Sequence, residues 1–241
     1  MKTVFFTISD DRYFYPAGTH ILINSFKRFH PDIPLVVYRQ DMIDKVFKEK
    51  GINFYQAKPT FAKLLYDNYD LVVNIDADHV ITGRLQEILE GDYDVAFPWN
   101  YNDYENASLG DITEEMYLQA GIVASTKKSF WDTWEKMNVD AMKYLRKEND
   151  IVNLLVYGDT NISLKILDKK KDYYGCKSLN REPEFYIKDD RLMCRGEQVF
   201  AYHFARGAVF PKLNFPTMPF TPEVKQWLMQ VGMYGITSMI L

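Results

Sequence analysis

The stretch Asp70-Leu71-Val72-Val73-Asn74-Ile75-Asp76-Ala77-Asp78-His79-Val80 decides how the chain is to be read. Its first half is apolar on both alternating faces, as a strand buried between two layers must be. Such a strand belongs in the middle of a largely parallel sheet covered by helices. The second half switches to two carboxylates one residue apart, an Asp-x-Asp (DxD) motif. In open α/β sheets ligands bind beyond the carboxyl ends of the strands, which is where Asp76 and Asp78 fall. Two carboxylates at that spacing turn toward one cation as the chain leaves the strand. Hard oxygen donors suit Mg²⁺ or Mn²⁺, ions that keep positions open for substrate phosphates. A turn and a cap are the competing explanation of an isolated Asp-x-Asp; the all-apolar strand in front favours the metal.

Working outward, strand and helix signals alternate. Val4 to Ile8 reads as a first strand, and Pro16 opens a helix with Ile21, Leu22, Phe26 and Phe29 at helical spacing. His30-Pro31-Asp32 stops it before a second strand over Ile33 to Tyr38. Asp41 caps a helix to Lys50, which Gly51 ends, and Ile52 to Tyr55 reads as a third strand. A helix over Pro59 to Tyr69 then leads into the decisive strand. Downstream, the pattern predicts a short helix over Leu85 to Leu89 and strands over Asp94 to Phe97 and Leu118 to Ala124. Helices over Thr126 to about Arg146 and Thr160 to Leu167 follow. A hairpin over Phe185 to Cys194 and a strand over Val199 to Phe204 complete the pattern. The order implies crossover units, hence an α/β fold with a mostly parallel central sheet flanked by helices. With no repeat and no low-complexity linker, residues 1–241 are expected to form a single domain.

Composition narrows the function classes. The 241 residues are 47% hydrophobic, enough for a substantial core. A formal net charge of -4 gives no basic footprint of the kind a DNA binder shows. Two cysteines, Cys176 and Cys194, build no disulfide framework, and a reducing compartment is the simpler reading. No run approaches the ~20 apolar residues of a membrane helix, and the first residues read as a strand rather than a secretory signal. A cytoplasmic protein without an integral membrane segment is expected. The apolar stretch from Val224 to Leu241 suits a packed final helix or an oligomer contact.

With these residues in view, the chain resembles glycosyltransferases of the GT-A fold, family 8, the group that contains glycogenin and bacterial galactosyltransferases. The resemblance runs from the first strand to about Lys212. Phe61-Ala62-Lys63-Leu64 ahead of the decisive strand is similar to the family's lysine helix, which implies that Lys63 reaches the donor's sugar or phosphate. Leu118-Gln119-Ala120-Gly121-Ile122 resembles an Asn-Ala-Gly strand beside the donor sugar, with Gln119 where the family has Asn. Gly158-Asp159-Thr160 resembles an Asp-Gln segment that lies against the reacting sugar. That implies a catalytic role for Asp159 and Gln119, although Asp159 also reads as a helix N-cap. Tyr202-His203-Phe204-Ala205-Arg206-Gly207 with Pro211-Lys212 resembles a segment whose histidine is the third metal ligand. The metal set implied is therefore Asp76, Asp78 and His203. Arg206, Gly207 and Lys212 would contact the diphosphate. Imidazole beside carboxylates tilts the ion from Mg²⁺ toward Mn²⁺. Thr7, Ser9, Asp10 and Tyr13 stand where the family binds the nucleotide.

The resemblance implies one GT-A (nucleotide-diphospho-sugar transferase) domain over residues 1–241. Within it lie a nucleotide-binding half (1–100), an acceptor and donor-sugar half (101–215) and a C-terminal helical tail (216–241). It also implies transfer from a nucleotide sugar, expected to be a UDP-sugar, with retention; an inverting enzyme would need a base such as Asp159. The acceptor is open among glycan, protein, lipid-linked sugar and modified nucleic acid. Trp99, Tyr101 and Tyr104 are candidates to stack on a sugar face. Two alternatives stand beside this: a sugar-phosphate nucleotidyltransferase and a non-catalytic nucleotide-sugar-binding module of the same fold. The first normally carries a Gly-rich basic loop after the first strand, where this chain has Ser9-Asp10-Asp11-Arg12-Tyr13.

Overall fold

The computed structural model describes residues 1–9, 16–52, 57–99, 111–113, 116–141, 148–167, 185–203 and 220–232. Their contacts group into two compact units, each discontinuous in sequence. One comprises Met1–Ile8, Val36–Ile75 and Gln86–Lys169; the other comprises Ser9–Leu35, Asp76–Leu85 and Lys170–Leu241.

The first unit carries a six-stranded sheet. Its strands are β1 (Thr3–Ile8), β2 (Leu35–Tyr38), β3 (Leu71–Ile75), β5 (Val95–Pro98), β6 (Ile122–Ser125) and β7 (Leu164–Leu167), in the order β2-β1-β3-β6-β5-β7. β1 runs parallel to β3 and β5 parallel to β7, while β6 lies antiparallel between β3 and β5. The all-apolar run thus occupies the interior position expected of it, and every residue of β3 is buried. Val4, Phe6, Ile8, Val72 and Val123 pack on one side against Phe61, Phe130, Trp131 and Trp134. Phe61 lies on α3 (Ala57–Lys63) and the other three on α5 (Lys128–Ala141). α2 (Gln40–Lys50) ends at Gly51, whose φ of 65° is open to glycine at no steric cost. The residue before its first turn is Arg39, so Asp41 lies inside the helix rather than capping it.

Three further expectations fail here. The segment Thr160 to Leu167 is not a helix: it holds β7, and the helix α6 (Glu148–Gly158) comes before it. α6 buries Ile151, Val152, Leu155 and Val156, a helical stripe, whereas the short run Leu164-Lys165-Ile166-Leu167 satisfies its backbone by pairing with β5. The helix expected to reach Tyr69 stops at Lys63, and the one expected from Thr126 begins at Lys128. The expected strand at Ile52 to Tyr55 lies almost wholly outside the described residues.

The second unit combines α1 (Pro16–Phe29), α7 (Pro222–Gly232) and two small sheets. β8 (Phe185–Lys188), β9 (Arg191–Cys194) and β10 (Glu197–Gln198) form an antiparallel meander. Its first turn places Asp189 and Asp190 at φ 50° and 56°, the left-handed pair of a tight hairpin that aspartate tolerates. β4 (His79–Ile81) pairs antiparallel with β11 (Ala201–His203), setting His203 opposite His79. Gly83, just past β4, lies so close to Gln198 and Phe200 that a Cβ would collide with both. Phe185, Tyr202 and Phe220 interlock edge to face at 5.0 to 5.5 Å, with Ile21, Val80 and Trp227 completing the core.

Candidate functional site

In the first unit the carboxyl edge of the sheet is fixed by register. Ile75, the last residue of β3, pairs with Ile122, the first of β6, so the segment leading into β6 reaches the same edge. Gln119 is buried there and its backbone N–H donates to the carbonyl of Pro98 (2.9 Å). Around it the chain builds a polar network that the sequence reading missed. Lys58 Nζ donates to the Ala120 carbonyl (2.8 Å) and to Glu148 Oε2 (2.9 Å). Asn149 Oδ1 accepts from the Ala120 N–H (3.0 Å). Asn153 accepts from the Leu118 N–H and donates back to the Leu118 carbonyl, and Tyr117 donates to Asp150 (2.7 Å). The amino end of α6 therefore clamps residues 117–120 directly through Asn149, Asp150 and Asn153 and, by way of Lys58, through Glu148. The run Glu148-Asn149-Asp150…Asn153, polar ahead of an apolar stripe, is the signal that marks it.

Asp159 is at the other edge. Leu164 pairs with Val95, and Val95 and Val72 both pair with Ser125, so β7 begins level with the start of β3 rather than with its end. Asp159 precedes β7, accepts from the Asn161 N–H (2.9 Å), and lines a cavity of about 370 Å³ with Asp94, Lys127, Ser129 and Thr133. It is a turn-closing carboxylate, and it caps no helix, since none follows. Lys63 also has partners other than those expected. Its ammonium is held by Asp132 (2.8 Å) and Glu135 (2.7 Å) on α5, contacts that raise its pKa. Two polar groups on the central strands have no hydrogen-bond partner among the described residues: the hydroxyl of Thr7 on β1 and both amide atoms of Asn74 on β3.

In the second unit Asp78, His79 and His203 converge, all buried, each offering a ligand atom within 4.8 Å of the others. Asp76, half-buried, is not a member of that group. Asp78 Oδ1 and His203 Nε2 stand 3.0 Å apart, yet among the described residues Oδ1 accepts no well-aligned hydrogen bond. Two donors in adjacent positions on one ion, each at about 2.1 Å, stand about 3.0 Å apart. Carboxylate and imidazole with that spacing fit a divalent transition-metal ion, and Mn²⁺ accepts both donor types more readily than Mg²⁺ does. Burial alone raises the Asp78 carboxyl, but the charge and contact of His203, joined by the charge of His79, outweigh it and hold it below the ordinary carboxylate value. Asp78 is thus anionic beside protonated imidazole, and a cation bound by His203 would take the place of its proton. Ser9, buried in the same unit, shares a 2.6 Å hydrogen bond with Thr19 on α1. Asp10, Tyr13, Arg206, Gly207 and Lys212 lie outside the described residues, as do Tyr101 and Tyr104.

No protein-family model matches the sequence, and no curated protein does. Solved structures do match. The apo structure of the bifunctional glycosyltransferase WbbM superposes at a TM-score of 0.61 with 16% identity, over 96% of this chain and 50% of that one. The galactosyltransferase LgtC, in complex with donor and acceptor sugar analogues, matches at 0.55 and 14%, over 95% of this chain and 94% of that one. The chain has the GT-A fold. Mouse xyloside xylosyltransferase 1 in its apo form matches at 0.53 with 9% identity, over 84% of this chain and 97% of that one. The chain spans about half the length of WbbM. Among the described residues no helix is long and apolar enough to cross a membrane.

Proposed function

We propose that the chain is a metal-dependent glycosyltransferase, taking a sugar from a nucleoside diphosphate sugar, a UDP-sugar, and passing it with retention to an acceptor. The reading is carried by Asp78 and His203, distant in sequence, standing 3.0 Å apart and buried in a chain of GT-A fold. Structures of that fold named above are glycosyltransferases, which supports the reaction class. Asp78 and His203 would hold Mn²⁺, or Mg²⁺ less tightly, with the half-buried Asp76 beside them. When bound, the ion supplies a Lewis acid for the charge that grows on the departing diphosphate. The clamp on residues 117–120 gives the Gln119 segment a rigid backbone, as a wall against a sugar needs. Asp159, at the amino edge of the sheet, takes no part in the proposed transfer. The acceptor is a glycan, a protein, a lipid-linked sugar or a modified nucleic acid, and the reaction is proposed to take place in the cytoplasm.

The test is thermal unfolding with a panel of nucleotide sugars, with and without Mn²⁺, followed by donor hydrolysis. A donor at about 100 times its Kd stabilises by roughly 2.7 kcal/mol, and the response is expected only with the metal present. Asp78→Asn should keep its fold and lose the response. Well-folded protein indifferent to Mn²⁺ and to every nucleotide sugar overturns the reading. Pyrophosphate exchange in place of sugar release would make it a nucleotidyltransferase, and binding with neither would make it a binding module.

A further inference from the structure

We infer that His79 is the residue that aims His203 at the cation, and so sets how tightly the site holds it; this rests on the metal reading of Asp78 and His203. His79 is fully buried and is the cross-strand partner of His203 in the β4–β11 ladder. Their rings stack with centroids 4.1 Å apart and planes inclined by 11°. His79 Nδ1 lies 3.1 Å from the backbone carbonyl of Asp76, which also accepts the His79 N–H (3.2 Å). One residue therefore closes the turn that presents Asp76 and Asp78 and, through its ring face, packs on the imidazole that completes the pair.

The same geometry takes Nδ1 of His79 out of the ligand set. A carbonyl oxygen only accepts, so His79 Nδ1 carries the proton. That nitrogen is the one 3.9 Å from Asp78 Oδ1, and its lone pair is spent. Stacking gives an independent argument. Imidazole lone pairs lie in the ring plane, and planes in van der Waals contact are roughly 3.5 Å apart. An ion shared by both rings would sit about 1.7 Å outside at least one plane, with a bond of only about 2.1 Å to make. One ring ligates; the other holds it. Groups that orient a metal-binding histidine typically control affinity by 10- to 100-fold.

The test titrates Mn²⁺ alone, by calorimetry, into the full chain, the His79→Asn variant and the His79→Phe variant, with the visible spectrum of Co²⁺ as a second readout. Asparagine keeps a short donor for the Asp76 carbonyl and loses the ring; phenylalanine keeps the ring face and loses the donor. The Asn variant should bind Mn²⁺ about 10- to 100-fold more weakly with an altered Co²⁺ band. The Phe variant should lose less than tenfold and keep a band near that of the parent. A loss of folding stability alone would lower the melting temperature and leave the Kd of the folded protein unchanged. Co²⁺-loaded parent protein should show one contact-shifted imidazole by proton NMR, a measurement that needs no variant. Two such rings, or variants that bind as the parent does with an unchanged band, overturn the role of His79 while leaving the metal site standing. A parent chain that binds neither Mn²⁺ nor Co²⁺ overturns the metal reading and this inference with it.

Discussion

His30 should make the fold lose stability in mild acid by a calculable amount. Its ring follows α1, stacks on Phe26 (4.7 Å, 17°), is only 1% exposed, and accepts the Leu85 N–H at Nε2 (3.0 Å). Burial, helped by the positive charge of Arg84 and opposed by Asp32, lowers its pKa from 6.5 to about 4. The folded state therefore keeps His30 neutral where the unfolded chain already binds a proton. Unfolding is favoured increasingly as pH falls through 6.5, and the effect levels off below 4. With those two values the loss is about 2 kcal/mol at pH 5 and about 3 kcal/mol below pH 4. The assay is urea unfolding at pH 7.5, 6.5, 5.5 and 5.0 of the parent and of His30→Gln, whose amide oxygen can accept from Leu85 without titrating. The difference between the two should shrink, in the variant's favour, by about 2 kcal/mol from pH 7.5 to 5.0. Parallel stability curves would refute the reasoning, because they would mean that His30 titrates alike in both states.

Two further predictions concern the first unit. Lys58→Met takes the ammonium from the Glu148 carboxylate and from the Ala120 carbonyl, so it should cost about 3 kcal/mol in urea unfolding. Adding Glu148→Gln should recover part of that loss, and equal losses in the single and double variants would show that the pair is not coupled. Asn74→Leu removes a buried amide that has no partner among the described residues, at similar volume, and should raise stability by about 1 kcal/mol. A clear loss of stability in that variant would mean that the amide is satisfied in solution.

The central strand and its two aspartates were legible because a buried strand leaves an uninterrupted apolar run and two carboxylates break it abruptly. α1 and the Asp189-Asp190 hairpin were legible for local reasons too, a proline start and a polar turn between apolar runs. β4 was not, since three residues show no period, and with it went His79, whose importance comes from its register against β11. The exchange of β7 and α6 has a similar cause. Four apolar-leaning residues fit a helix turn or a strand equally, and only pairing with β5 settles it. Lys58 and Lys63 lie on the same short helix, and nothing local says that the first is buried against Glu148 while the second meets Asp132 and Glu135.

Asp78 and His203 are 125 positions apart in the chain. At the roughly 5 to 20 residues per second of protein synthesis, about 6 to 25 s pass between the appearance of the aspartate and that of its histidine. Over that interval the growing polypeptide has the carboxylates but no imidazole from β11 to set against them. Under the proposed function, tight capture of a transition ion would thereby be deferred until the last third has emerged and folded back onto β4.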